Sequence, residues 1–104
     1  VFSQATTAAG GVTWGIQATA HSDGDSLNAS WGTAQTVNKT AGTGLVLYKT
    51  AETSAVTIGN TPASKDLIMF RVYRNPADGS DTLAQDAKLI SITLYYTTNA
   101  ANDA

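Results

Sequence analysis

Leu67-Ile68-Met69-Phe70-Arg71-Val72-Tyr73-Arg74, then Asn75-Pro76-Ala77-Asp78-Gly79-Ser80-Asp81-Thr82-Leu83-Ala84-Gln85-Asp86, then Ala87-Lys88-Leu89-Ile90-Ser91-Ile92-Thr93-Leu94-Tyr95-Tyr96-Thr97-Thr98 decide the fold class. The first outer segment is a strand-like run that opens on four apolar residues, and the second alternates apolar and polar residues with a period of two from Ile90 to Leu94. That period marks half-buried strands, because successive side chains point to opposite faces. Ile68, Phe70 and Val72 are the expected core face of the first run. Ile90, Ile92, Leu94 and Tyr96 are expected inward in the second, with Ser91, Thr93 and Tyr95 outward. The middle segment carries Pro, Gly and three Asp, the chemistry of a turn. Two strands joined this way predict antiparallel sheet and place no reaction chemistry in it.

The rest of the chain reads the same way. Val1–Thr7 is a short expected strand, and Ala8-Ala9-Gly10-Gly11 an expected turn, since Gly takes φ > 0 cheaply. Val12–Ala20 alternates, with Val12, Trp14, Ile16, Ala18 and Ala20 on one face. Val1–Ala20 is therefore expected to be a β-hairpin. His21–Ser26 is turn chemistry, Leu27–Gly32 irregular with Trp31 dipping into the core, and Thr33–Thr40 a weak strand. Leu45–Ala51 is expected as a firm strand, apolar on both faces and so central or at an interface. Ala55–Ile58 is a short strand candidate, and Gly59-Asn60-Thr61-Pro62 breaks the chain. Ala100–Ala104 is a polar, small-residue tail expected to fray. No stretch sustains a 3.6-residue period. Many short strands at close spacing indicate a sandwich or barrel.

Composition narrows the function classes. The 104 residues suit one domain, and there is no Cys, so disulfides and thiolate metal sites are excluded. Charged residues are 13%, against about 25% in ordinary globular domains. Thr, Ser, Asn, Gln and Gly supply the polar surface instead, which suits a sheet packed against partners. The net charge is −2, with six dispersed cationic residues. Nucleic acid needs clustered Lys and Arg, so it is not an expected partner. No apolar run approaches the roughly 20 residues of a membrane-spanning helix, and no signal peptide is visible.

Candidate chemistry is sparse. His21 is the only His, no nucleophile elbow accompanies it, and a surface His is expected. Asp23 and Asp25 flank Gly24 as in the start of a Ca²⁺ loop, but Ser26, Leu27 and Asn28 do not complete the ligand set, so an Asx-turn is expected. Among Asp78, Asp81 and Asp86, Asp81 or Asp86 is expected to pair with Arg74 and fix the return of the chain, since Arg holds a carboxylate through two parallel hydrogen bonds. Trp14 alternates with Val12 and Ile16 and reads as core. Tyr73 and Tyr95 fall on outward faces and are the candidates for a subunit or glycan contact, offering an apolar body and a polar tip. No catalytic residue, cofactor or metal site is expected, and the chain reads as a non-enzyme.

The block Phe70-Arg71-Val72-Tyr73-Arg74-Asn75, with Asp81-Thr82-Leu83, Asp86-Ala87 and the closing Leu89-Ile90-Ser91-Ile92-Thr93-Leu94-Tyr95-Tyr96, resembles a recurring ending in bacteriophage proteins of the marine-phage type. Gly11-Val12-Thr13-Trp14 and Asp23-Gly24-Asp25 fit the same pattern. The family is one of jelly-roll-like structural proteins. The resemblance implies an all-β, antiparallel β-sandwich of jelly-roll type. It also implies a virion component such as a capsid decoration, head-fibre or tail-fibre domain, assembled in the host cytoplasm and exposed on the particle. The expected partners are copies of itself, a trimer being one symmetric option, and other virion proteins. The alternative is a carbohydrate-binding adhesin module for a host-surface glycan. Such proteins usually carry additional strands ahead of the hairpin. Without them a sandwich is left with open edges, which neighbouring subunits or the upstream part of a longer jelly-roll chain would complete.

Overall fold

The computed structural model describes residues 1–4 and 7–97. These residues form six strands and no helix: β1 (Phe2–Gln4), β2 (Gly10–His21), β3 (Gln35–Ala41), β4 (Ile58–Gly59), β5 (Leu67–Arg74) and β6 (Ala87–Leu89). β2 is the axis of the larger sheet. β5 runs antiparallel along one edge, pairing Trp14 with Arg74 through to His21 with Leu67. β3 pairs antiparallel with Gly10–Ile16 on the other edge, and β4 follows it there, parallel to Ala18 and Thr19. The smaller sheet pairs β1 with β6, Phe2 opposite Leu89.

β2 is buried on both faces because both are covered. Val12, Ala18 and Ala20 are buried on the even face, Thr13, Thr19 and His21 on the odd one. The buried hydroxyls bond to neighbouring segments: Thr13 to Asn38 Oδ1, Thr19 to the Ser30 carbonyl. The apolar centre gathers Phe2, Val12, Ala41 and Leu83, with Trp14 and Tyr48 packed around it. Phe2 lies between two rings, 5.6 Å from Trp14 at a tilt of 53° and 5.5 Å from Tyr48, stacked.

The pairing corrects several expectations. Val1–Ala20 is not a hairpin: β1 pairs with β6 on one side and with Tyr48 on the other, not with β2. Gly10 and Gly11 belong to β2 rather than to a turn. A Cβ on Gly11 would stand 2.3 Å from the Ser80 carbonyl oxygen, so these glycines serve close backbone approach. Leu45–Ala51 is no firm strand. Leu45 sits at φ 61°, and the segment holds β1 through Tyr48 and through the Leu45 N–H to the Gln4 carbonyl. The last run forms a strand only over Ala87–Leu89, and Ile90, Ile92, Leu94 and Tyr96 are all half or more exposed. Past it, Ile90 and Ser91 N–H both donate to the Val1 carbonyl, and among the described residues no backbone–backbone hydrogen bond continues the pairing over 92–97. The expected breaker at Asn60-Thr61 is present, both residues having positive φ. The expected fraying of Ala100–Ala104 lies outside the described residues.

Candidate functional site

The most constrained polar group is the Arg74–Asp81 pair. Arg74 Nε donates to Asp81 Oδ2 at 2.9 Å and Nη2 to Asp81 Oδ1 at 2.6 Å, the two-pronged geometry expected from the sequence. Nη1 also donates to the Gln85 carbonyl and Nη2 to the Leu83 carbonyl, each at 2.6 Å. Asp81 is the better buried partner, its side chain 1% exposed against 20% for Arg74. The Arg74 hydrogen bonds hold the Asp81 carboxyl below its ordinary pKa, the Thr13 N–H adds to this, and burial opposes it. The same pairing raises Arg74.

This clamp seals a strand edge. β5 leaves β2 at Trp14, and the connection takes over as partner. Asn75 N–H donates to the Thr13 carbonyl, and Thr82 and Leu83 N–H both donate to the Gly11 carbonyl. The Thr13 N–H has no backbone acceptor there and donates to Asp81 Oδ2 at 3.0 Å. The carboxylate stands in for a missing strand carbonyl, and Arg74 fixes it in that place.

The two tyrosines lie on different surfaces. Tyr73 is half-buried, its ring laid over Gly15, where a Cβ would meet Tyr73 Cζ at 2.4 Å. Beside it Arg71 donates to Gln17 Oε1 through Nε at 3.0 Å and through Nη2, and Gln17 Nε2 donates to the Gly32 carbonyl. The Arg71 guanidinium covers the Trp31 ring at 4.5 Å from its centroid. Trp31 is thus half-buried under a cation rather than in the apolar centre. Gln17, Arg71 and Tyr73 line a shallow depression. Tyr95 is 62% exposed and stands on the wall of a separate cleft of about 360 Å³, whose floor is Trp14, Ile16, Val37 and Val72.

The remaining candidates have structural roles. His21 is buried at the end of β2 opposite Leu67, which corrects the surface assignment: the terminal position of a strand paired on its edge is shielded by its neighbours. Asp25 Oδ2 accepts the Ser22 N–H at 2.8 Å and Asp25 N–H donates to the Ser22 carbonyl, the expected turn. Asp66 accepts from the Ser22 hydroxyl and the Ala63 N–H, in that order of effect, and its pKa is lowered. Among the described residues, no three His, Asp or Glu side chains gather as a metal site. Among the described residues, no helix is long and apolar enough to cross a membrane. The cleft is the feature that sequence reasoning missed. Its only signal was the excess of apolar residues at Ile90–Tyr96 over what one described layer covers.

Comparison with known families, curated proteins and solved structures finds no match.

Proposed function

We propose that this chain is a non-enzymatic structural component of a bacteriophage particle, of decoration, head-fibre or tail-fibre type, built as a jelly-roll-like sandwich. It works by packing against copies of itself and other virion proteins. The observation that carries the reading is apolar surface in excess of what the chain covers. Leu67, Met69, Phe70, Leu89, Ile90, Ile92 and Leu94 are all at least two-fifths exposed. The molecule is also open in shape. Its radius of gyration is 16.3 Å, against about 13 Å for a compact domain of this length, and its thinnest extent is 19 Å. Leu89, Ile92 and Leu94 line one cleft, and apolar patches left exposed mark protein contact sites. A low charge content favours close approach between copies, and the resemblance of the Phe70–Tyr96 block supplies the virion context.

Size-exclusion chromatography with light scattering tests assembly: a symmetric oligomer is expected, and a strict monomer at high concentration overturns the reading. Electron microscopy of particles containing the chain tests its place on the virion. The second reading, a glycan-binding module, draws on the depression formed by Gln17, Arg71 and Tyr73, where planar polar groups flank an aromatic ring. A glycan array with a Tyr73→Ala control separates the two.

A further inference from the structure

β5 pairs with β2 alone, and its other edge is open among the described residues. Which of its groups face that edge follows from the hydrogen bonds that extend the ladder. Asn75 N–H donates to the Thr13 carbonyl, so Thr13 and Asn75 occupy a hydrogen-bonded position. Antiparallel positions alternate between bonded and non-bonded, so Tyr73, Arg71, Met69 and Leu67 bond to β2. Ile68, Phe70 and Val72 turn their N–H and C=O groups the other way. Ala18, which lies opposite Phe70, behaves accordingly: its carbonyl accepts the Gly32 N–H on the side of β2 away from β5. Among the described residues, no hydrogen bond reaches the outward groups of Ile68, Phe70 and Val72.

The two long edge strands of this sheet differ in chemistry. β3 carries Thr36, Asn38, Lys39 and Thr40, all exposed. Polar and charged side chains of this kind deter edge pairing. β5 runs for eight residues without Pro, Lys or Gly, and its Leu67, Met69 and Phe70 are exposed. A long apolar edge is a template for another strand. The sequence of β5 is also complementary to itself. Bonded positions must join outward-facing residues, which limits the registers open to an antiparallel copy. Aligned on Phe70, the partner's Phe70 stands opposite Phe70 and the partner's Val72 opposite Ile68, apolar against apolar on one face. On the other face the partner's Tyr73 meets Leu67 and the partner's Arg71 meets Met69. A slide of one bonded position in one direction sets Arg71 against the partner's Arg71, which like-charge repulsion disfavours. The opposite slide sets Val72 against the partner's Asp66, beyond the strand.

We propose that β5 pairs antiparallel with β5 of a second copy about a two-fold axis at Phe70, which supplies a contact for the assembly proposed above and rests on that reading. The two copies join their sheets into one continuous sheet. The partner's Ile68 arrives beside Val72, at the floor of the cleft that Ile92 and Leu94 also line. A two-fold contact uses the same edge on both copies, so it closes and leaves no β5 edge open to a third.

The chain has no Cys, so a single introduced one reports without background. Phe70→Cys is expected to close a disulfide across the axis, since the Cα atoms of a bonded pair stand about 5.5 Å apart. Ile68→Cys is expected to stay reduced, its counterpart lying roughly 14 Å away along the strands. Leu27→Cys, exposed elsewhere on the molecule, gives the rate of chance collision. Equal rates for the three overturn the pairing. In the dimer the amides of Ile68, Phe70 and Val72 are expected to exchange at least tenfold more slowly than after dilution to monomer, and equal exchange overturns it too. Phe70→Lys, with its circular dichroism unchanged, is expected to weaken association at least tenfold by light scattering. Undiminished association of Phe70→Lys overturns β5 as the contact and leaves assembly through another surface standing. A parent chain that stays monomeric at high concentration overturns the assembly and the pairing with it. A dimer joined at Phe70 but absent from particles upholds the pairing and overturns the virion reading alone.

Discussion

Arg74 makes four hydrogen bonds, and Asp81 answers both Arg74 and the Thr13 backbone. Removing the guanidinium leaves a buried carboxylate without its charge partner, which costs about 3 kcal/mol in comparable pairs. Arg74→Ala is therefore expected to lower the melting temperature by more than 10 °C, at about 4–8 °C per kcal/mol for a domain of this size. It is also expected to open residues 75–86 to protease. An unchanged melting curve with an intact loop removes the clamp from the account. Arg74→Lys keeps the charge but loses the fork, and is expected to fall between the two. The pH dependence has a definite sign. Asp81 and Asp66 both have lowered folded-state pKa values, so their stabilisation is full above the unfolded carboxylate value of about 3.9 and is lost as pH falls through the folded values. Stability from these groups should be flat from pH 5 to 8 and drop below pH 4. Asp81→Asn is expected to be less stable at pH 7 and to lose less on acidification than the parent; parallel acid titrations settle this.

At the scale of elements, β2 and β5 depend on one glycine–aromatic pair. Tyr73 occupies the space a side chain at Gly15 would take, an arrangement in which a ring covers a bare strand backbone. Gly15→Ala is expected to destabilise by about 1–3 kcal/mol through overpacking. Tyr73→Ala loses the cover and destabilises as well. The double variant is expected to be more stable than the sum of the single effects predicts, because the alanine then fills part of the space the ring left. Denaturant midpoints for the four-member cycle measure this coupling. Strict additivity shows that the contact does not hold these strands.

At the scale of the molecule, the proposed assembly would draw on the exposed side chains of Ile90, Ile92 and Leu94, each half or more exposed. Replacing Ile92 and Leu94 together by Thr places strand-forming, β-branched residues at both positions while removing apolar area. The melting temperature of the dilute chain is expected to change little, since both residues are about half exposed. Self-association at high concentration is expected to weaken by tenfold or more. If light scattering shows the same oligomer at the same concentration, this face is not where copies meet.

Period-two alternation in Val12–Ala20, with short apolar runs such as Leu67–Phe70 between turn residues, pointed to an all-β chain, because only extended backbone puts every second residue on one face. The Asp-rich turn after Arg74 also pointed to a carboxylate partner, Asp81 or Asp86, and the structure chose Asp81. Partner choice was not legible. Phe2 pairs with Leu89 and Tyr48 rather than folding back on β2, and alternation is blind to which edge a strand joins. Burial of His21 and Thr13 followed from neighbours arriving from distant sequence. Ile90 and Ser91 N–H both donate to the Val1 carbonyl, so two residues oppose one in a β-bulge, a matter of hydrogen-bond geometry that no residue type there signals. It alone decides which way Ile92 and Leu94 face, because a shift of one residue along a strand turns every later side chain to the other side of the sheet.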